Sequence, residues 1–445
     1  MNDRVEGRAD RPERTGVILP WTDLRQRPSP DRISETQGLV EALGGELCFL
    51  RAEQVRSPSA SHLLSGGLIE RLQNDVDTQE LNLVVIDAAL SPIQQRNLEN
   101  VLGAKVIDRT GLILEIFGLR ALTREGLLQV ELARLLYERS RLVRTWTHLE
   151  RQRGGRGFLG GPGETQLEAD KRMIDRQLST LRRDLNEVRR TRQVQRAGRR
   201  RNEYPVIALV GYTNAGKSTL FNRLSGADVL AQDMPFATLD PTIRRIDLPN
   251  LGQAALVDTV GFITDLPTHL IDSFRATLEE TMEADLLIHI RDRSSDSDAQ
   301  QKQDVLDVLV QLSQTTGAAI PPMIEAWNKI DLLEPETRDV LSRAARVQAD
   351  VPAIPVSATT GYGMEALIEL IEETLSDGHF HYRVTLLPEQ GALRAWLHTN
   401  AQIIDEVPFD EGQSAMHVRL DARVLGRLQA QFPSAKLELL PSTVS

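Results

Sequence analysis

Nine consecutive residues, Gly211 to Thr219 (GYTNAGKST), have the types and spacing needed to bind a nucleotide phosphate. Gly211 and Gly216 lack a Cβ that would hinder close approach, so successive backbone N–H groups can face an anion. We expect Lys217 to neutralise the β- and γ-phosphates and Ser218 to ligate Mg²⁺. The pattern therefore predicts a phosphate-binding loop with Mg²⁺ as its cofactor.

Two later loops could contact the γ-phosphate and the metal. Thr238, in the hydroxyl-rich stretch FATLDPT, is expected to complete the Mg²⁺ shell. In the stretch DTVG, we expect Asp258 to hold Mg²⁺ through water and the Gly261 N–H to sense the γ-phosphate. Thr238, Gly261 and Lys217 would support the transition state, but the sequence identifies no catalytic residue.

The stretch NKID, ending at Asp331, selects the base. The Asp331 carboxylate can accept hydrogen bonds from guanine N1–H and N2–H₂, whereas adenine offers no matching donors. The backbone N–H of Ala358 could contact guanine O6. The sequence thus predicts binding of GTP and GDP by Gly211, Tyr212, Thr213, Asn214, Ala215, Gly216, Lys217, Ser218, Thr219, Phe236, Ala237, Thr238, Leu239, Asp240, Asp258, Thr259, Val260, Gly261, Asn328, Lys329, Asp331, Ser357, Ala358 and Thr359.

Three of these motifs follow a short apolar run that is typical of a buried strand. Val206 to Val210 precedes the phosphate loop, Ala254 to Val257 precedes Asp258, and Ile324 to Trp327 precedes NKID. Strands that alternate with helices predict an α/β multidomain protein with a P-loop GTPase domain, built on a mostly parallel sheet, over residues 204–377.

The remaining segments divide into three further regions after a disordered stretch at 1–15. Residues 16–121 alternate between apolar runs and amphipathic stretches, which predicts an N-terminal α/β domain with a mostly parallel sheet. We assign it binding and no chemistry, and we interpret its strand-end residues Asp87 and Asp108 as turn residues. Residues 378–445 follow the order strand, helix, two strands, helix, strand, which predicts a small α+β split βαβ domain.

Residues 122–203 contain two leucine-rich runs with heptad spacing, which predicts a long antiparallel helical hairpin. Its tip is too rich in glycine to remain helical, and Arg153, Arg156 and Phe158 there could contact RNA. The alternative is an ordinary hairpin turn with solvated basic faces.

Composition limits the class of protein. The 445 residues have a net charge of −11, but residues 139–201 hold 18 Lys and Arg against 7 Asp and Glu, so the chain is acidic with a basic arm. Cys48 is the only cysteine, which excludes an intramolecular disulfide. The charged N-terminus and the lack of a long apolar run predict no signal peptide and no membrane span, so we expect a cytoplasmic monomer.

The motifs GYTNAGKST, FATLDPT, DTVGFITDLP and NKID, together with the upstream GGPGETQLEADKR, resemble the HflX family of ribosome-associated GTPases. GGPGETQLE is the most specific of them, and the resemblance covers nearly the whole chain. It implies binding to the large (50S) ribosomal subunit and its rRNA, and a role in ribosome splitting, rescue or biogenesis under stress. A GTPase acting on another RNA remains open, and the basic hairpin disfavours a switch with protein partners only.

Phe262 directly follows DTVG, where Ras-like GTPases carry a glutamine that orients the attacking water. A phenyl ring can neither donate nor accept the required hydrogen bonds, so Phe262 is not catalytic. We favour an apolar anchor for the switch loop over a hydrophobic gate that shields the γ-phosphate. Either role predicts slow hydrolysis by the isolated protein, with the missing group supplied by a rearranged switch segment or by the ribosome.

Overall fold

The computed structural model contains three β-sheets and one long helical hairpin. It describes residues 13–22, 27–152, 162–199, 204–226, 234–236, 239, 241–264, 281–347, 351–377, 379–408, 413–421, 424, 428, 431–432 and 435–439. None of the helices in these ranges combines the length and the apolar character that a membrane span requires. The architecture confirms the predicted α/β multidomain class.

A four-stranded parallel sheet of order β2-β1-β3-β4 forms the N-terminal part. All four residues of β3 are buried, because helices cover both faces of the sheet. The second helix begins at Gly66, shortly after Leu63, which has a left-handed φ of 65°. The elements are β1 Arg14–Trp21, α1 Pro30–Ala42, β2 Glu46–Gln54, α2 Gly66–Gln79, β3 Leu83–Ile86, α3 Pro92–Leu102, β4 Lys105–Asp108 and α4 Arg109–Arg120.

The two strand-end aspartates have different structural roles. Asp108 caps α4 by accepting a hydrogen bond from the Gly111 N–H at 2.8 Å, and it also accepts from the Tyr137 hydroxyl at 2.8 Å. Asp87 lies directly after β3, at a bend in the chain. It is buried and forms ion pairs with Arg32 and Arg109, both at 2.9 Å.

Helix α5, Arg124–Gln152, and helix α6, Pro162–Arg199, form the hairpin. Arg139, at the break in the first heptad run, pairs with Asp175 at 2.9 Å. The 38-residue α6 is about 57 Å long. The apolar residues buried along the seam are Leu132, Leu135, Ile174, Leu178 and Leu185. The predicted RNA-binding residues Arg153, Arg156 and Phe158 lie outside the described residues.

The third unit is a six-stranded sheet of order β10-β9-β8-β5-β7-β6, in which only the edge strand β6 is antiparallel. The carboxyl ends of the parallel strands therefore meet at one edge, where the loops can build a site. The elements are β5 Val206–Gly211, α7 Lys217–Ser225, β6 Thr242–Leu248, β7 Gly252–Asp258, β8 Leu286–Asp292, α8 Asp298–Thr316, β9 Met323–Asn328, α9 Pro335–Val347, β10 Ala353–Pro355 and α10 Met364–Asp377.

The C-terminal part is a four-stranded antiparallel sheet of order β12-β13-β11-β14. Its second, third, first and fourth strands thus lie side by side, which is the order of the predicted split βαβ domain. Most of the second predicted helix, residues 422–431, lies outside the described residues. The elements are β11 His379–Leu386, α11 Gly391–Asn400, β12 Gln402–Pro408, β13 Ser414–Asp421 and β14 Lys436–Leu439.

Candidate functional site

The predicted phosphate loop connects the end of β5 to the start of α7, as the sequence indicated. A Cβ at Gly211 would lie 2.4 Å from the Ile290 carbonyl oxygen on the neighbouring strand, so only glycine fits there. The loop ends at Gly216, which caps α7 in a left-handed conformation with φ +94°. The backbone N–H groups at the start of α7 can therefore face an anion.

Lys217, Ser218 and Asp258 form the polar floor of this loop. The buried Lys217 Nζ donates to the Tyr212 carbonyl oxygen at 2.6 Å, and Ser218 Oγ donates to Asp258 Oδ2 at 2.8 Å. A hydroxyl and a carboxylate at this separation are the hard oxygen donors that Mg²⁺ prefers, so these two residues fit the predicted metal site. Thr238, the third predicted ligand, lies outside the described residues.

Burial lowers the pKa of Lys217 from 10.5 to about 8, although Asp258 opposes the shift. Nucleotide phosphates would raise this pKa again, because they favour the charged form. Below pH 8 the free lysine is already charged, so nucleotide affinity should not depend on its titration. Above pH 8, binding must take up a proton and the affinity should fall.

We expect the Kd for GDP to rise about tenfold between pH 7 and pH 9. Equilibrium binding of a fluorescent GDP analogue across this range measures the effect. Lys217→Arg is the control, because its guanidinium stays charged and its Kd should change less. A pH profile shared by both proteins would assign the effect to another group.

The loop after β7 lies directly against the phosphate loop. A Cβ at Gly261 would come within 3.0 Å of Lys217 Nζ, so the Gly261 backbone is next to the lysine that should contact the γ-phosphate. The Phe262 N–H donates to the Gly211 carbonyl at 3.1 Å, and the Phe262 carbonyl accepts from the Thr213 N–H at 2.7 Å. The Phe262 ring is 2% exposed and belongs to the core, which supports the apolar anchor over the gate.

Asn328 connects the guanine loop to two others. Its Nδ2 donates to the Ala215 carbonyl at 2.8 Å, and its Oδ1 accepts from the Ala358 N–H at 3.0 Å. The Asn328 side chain therefore holds together the phosphate loop, the NKID loop and the loop after β10. A rearrangement of any of the three would disturb the other two.

Two arginines that the sequence analysis missed hold the base-binding loops. Arg223 Nε on α7 donates to the Ala358 carbonyl at 3.1 Å. Arg338 on α9 donates from Nη2 to the Asp331 carbonyl at 3.0 Å and from Nε to the Leu333 carbonyl at 2.8 Å. No local motif identifies these arginines, because their partners are backbone atoms of other elements.

These loops line one cleft of about 480 Å³. Met234 and Leu332 also line it; Leu332 could have been inferred from its position beside Asp331, whereas Met234 carries no such signal. The predicted residues that line the cleft are Thr213, Asn214, Gly216, Lys217, Ser218, Thr219, Phe236, Thr259, Gly261, Asn328, Lys329, Asp331, Ala358 and Thr359.

The other predicted residues fall into two groups. Ala237, Thr238 and Asp240 lie outside the described residues. Those placed behind the lining of the cleft are Gly211, Tyr212, Ala215, Leu239, Asp258, Val260 and Ser357. Tyr212 is the most unexpected of these, because its hydroxyl donates to Glu35 Oε2 of the N-terminal sheet unit at 2.8 Å.

Comparison with known proteins agrees with this geometry. Residues 206–329 match the family described as 50S ribosome-binding GTPase. Residues 30–118 match the GTP-binding GTPase N-terminal family, residues 120–199 the GTP-binding GTPase middle region, and residues 340–437 the HflX C-terminal domain.

Two relatives and one solved structure illustrate the similarity. The protein named GTPase HflX from Magnetococcus marinus is 48% identical over 436 residues, which covers 94% of this chain and 98% of the relative. GTPase HflX from Escherichia coli is 40% identical over 419 residues, which covers 94% of this chain and 96% of that relative. The crystal structure of SsGBP in complex with GDP aligns with a TM-score of 0.48 and 25% identity, covering 82% of this chain and 99% of that one.

Proposed function

This chain belongs to the HflX family of GTPases, and from that premise we propose that it hydrolyses GTP with Mg²⁺ on the large ribosomal subunit. The observation that carries the proposal is the single cleft in which Lys217, Gly261 and Asp331 meet. GTP is the ligand that would contact all three groups: the phosphate-binding lysine, the γ-phosphate sensor and the guanine-reading carboxylate.

Each of these residues has a distinct part in the proposed reaction. Asp331 accepts the N1–H and N2–H₂ of guanine, and Lys217 neutralises the β- and γ-phosphates. Gly261 donates its N–H to the γ-phosphate. Ser218 and Thr238 would hold Mg²⁺ directly, and Asp258 would hold it through water. When bound, Mg²⁺ neutralises the charge that develops on the phosphates.

The group that positions the attacking water is not the residue that follows DTVG. Phe262 occupies the position after DTVG and its ring lies in the core, so it cannot orient water. We propose that docking on ribosomal RNA orders the switch segments and aligns the attacking water with Thr238 and Gly261. Hydrolysis would then be coupled to release from the ribosome, as expected of a factor that splits or rescues ribosomes, or assists their biogenesis, under stress.

Single-turnover GTP hydrolysis with and without purified large subunits tests this proposal. We expect large subunits to accelerate the reaction by about tenfold or more, because completing a phosphoryl-transfer site gives gains well above this. Small subunits and tRNA are the controls. Stimulation by tRNA alone would favour a GTPase that acts on another RNA, and equal rates in all mixtures would rule out activation by RNA.

We also propose that the hairpin tip supplies much of the affinity for RNA. Replacing both Arg153 and Arg156 by Ala should weaken ribosome binding and reduce the slope of log K against log salt by about 2, because two phosphate contacts are lost. Co-sedimentation with large subunits at several salt concentrations measures both quantities. GDP binding should not change, because neither arginine belongs to the nucleotide cleft.

A matched control for this pair is the double variant Arg244→Ala and Arg245→Ala. Both arginines are exposed on β6, and the change in net charge is the same. If this control flattens the salt dependence as much as the tip variant does, the effect comes from net charge. An unchanged slope in the tip variant would assign the tip to structure only.

A further inference from the structure

The loops that respond to the γ-phosphate are buried beneath the N-terminal helices. Tyr212, Phe236 and Phe262 are 6%, 2% and 2% exposed, and they share one core with residues of α1 and α4. The rings of Phe117 on α4 and Phe236 meet edge to face, with centroids 4.6 Å apart. The N-terminal unit is therefore part of the environment of the nucleotide cleft.

One polar contact from this unit and one from the phosphate loop meet at Thr264. Its N–H donates to the Tyr212 hydroxyl at 2.8 Å, and its carbonyl accepts from Arg109 Nη2 at 3.1 Å. Both backbone hydrogen-bonding groups of Thr264 are thus held by side chains, one from the phosphate loop and one from α4. Its hydroxyl donates to Asp304 at 2.8 Å and also lies 2.6 Å from the Tyr212 hydroxyl.

A buried charge cluster fixes these two side chains. Arg109 pairs with Asp87 at 2.9 Å and with Glu35, and all three side chains are less than 10% exposed. Glu35 also accepts from the Tyr212 hydroxyl, so it bridges the two groups that hold Thr264. Hydrogen bonds to charged groups in a buried site are stronger than those between neutral groups, which makes the arrangement rigid.

Thr264 is three residues beyond Gly261, a span of about 10 Å in extended chain. Phe262, between them, is already paired with the phosphate loop through Gly211 and Thr213. The segment therefore has one anchor at Phe262 and a second at Thr264, and the second is held by Tyr212 and Asp304 of the nucleotide domain together with Arg109 of α4. Loss of the second anchor would let the segment fray back toward Gly261.

We propose that Tyr212 and Arg109 are positioning residues that hold Thr264 and thereby keep Gly261 beside the γ-phosphate site. This inference rests on the GTPase function proposed above.

The test is Tyr212→Phe, which removes one hydroxyl and keeps the buried ring. We expect single-turnover GTP hydrolysis by the isolated protein to slow about tenfold, because the Thr264 N–H and the Glu35 carboxylate both lose their hydrogen bond to this hydroxyl. The Kd for GDP should stay within about twofold, because the base and β-phosphate contacts do not involve this hydroxyl. The affinity for GMPPNP, which needs Gly261 in place, should fall in parallel with the rate.

Tyr137→Phe is the matched control. The Tyr137 hydroxyl also donates to a buried carboxylate, Asp108 at 2.8 Å, and it accepts from Arg141, and both of these partners lie outside the nucleotide domain. This variant should lose comparable stability and keep the wild-type rate. Equal slowing in both tyrosine variants, or a wild-type rate in Tyr212→Phe, would overturn the proposal.

Arg109→Lys examines the other contact of Thr264. It keeps a cation beside Glu35 and Asp87, whereas alanine would strand a buried carboxylate and unfold part of the domain. A lysine cannot reach all three acceptors, so hydrolysis should again slow without loss of GDP affinity. A wild-type hydrolysis rate in a folded Arg109→Lys protein would count against the role of Arg109.

If the wild-type protein does not hydrolyse GTP, the proposed GTPase function fails, but the clamp on Thr264 can still be judged. The ratio of the affinities for GMPPNP and GDP then tests the clamp, because this ratio depends only on contacts to the γ-phosphate. A lower ratio in Tyr212→Phe and not in Tyr137→Phe supports the clamp. An unchanged ratio rejects it.

Discussion

Asp331→Asn is expected to weaken GTP binding on the order of 1,000-fold, because sites that read a base through buried hydrogen bonds discriminate by such factors. The asparagine amide would place an N–H₂ donor against the N2–H₂ donor of guanine. Xanthine has a carbonyl at that position, so the same amide can donate to O2 and accept from N1–H. The variant should therefore bind XTP more tightly than GTP.

Competition of GTP, XTP and ATP against a fluorescent guanine or xanthine nucleotide measures this reversal. Asp339→Asn is a suitable control, because Asp339 is exposed on α9, close to the guanine loop. It makes the same change of charge without facing the base. Equal affinity of the wild-type protein for GTP and ATP would refute the assignment of Asp331 as the base-reading residue.

Gly216→Ala is expected to lower the affinity for both GDP and GTP by about 100-fold or more, through backbone strain and loss of the Asn328 contacts. A Cβ at this position would lie 2.2 Å from Asn328 Nδ2, and the residue has a φ of +94°. Because Asn328 bonds to both Ala215 and Ala358, its displacement would disturb the phosphate and guanine loops together.

Gly317→Ala is the control that separates the effect of backbone strain at a positive φ from the effect of the steric clash with Asn328. Gly317 caps α8 with a φ of +70°, and nothing lies within 4 Å of its Cβ position. Both variants should lose about 1–2 kcal/mol of unfolding free energy from the positive φ. Isothermal titration calorimetry with GDP should then distinguish the two variants, because only Gly216→Ala should lose nucleotide affinity. Normal GDP binding by Gly216→Ala would mean that the loop can move away from Asn328.

The nucleotide motifs could be located from the sequence because each is local. A strand, a glycine-rich turn and a helix start lie within about fifteen residues, and the chemistry of Lys217, Asp258 and Asp331 follows from their side chains. The same reasoning placed the heptad seam of the hairpin and the strand order of the C-terminal domain, because periodicity and element order depend on neighbouring residues.

The side-chain partners of Asp87 and Tyr212 could not be predicted from the sequence, for the opposite reason. Asp87 stands at a strand end and was expected in a turn, but its partners Arg32 and Arg109 lie 55 and 22 residues away. Tyr212 lies in the phosphate loop and was expected at the nucleotide, but its hydroxyl turns toward Glu35, which is 177 residues away. None of these three partners can be inferred from a local sequence pattern.

The sequence by itself determined that this chain binds a guanine nucleotide through a P-loop, because backbone geometry and side-chain chemistry encode that function within short segments. Only the tertiary structure decided what surrounds the cleft. Packing of α1 and α4 on the switch loops buries Phe236 and Phe262, and the cluster of Glu35 and Arg109 holds Thr264. Such contacts arise when separate elements exclude water together, and their partners are selected by the fold and not by sequence spacing.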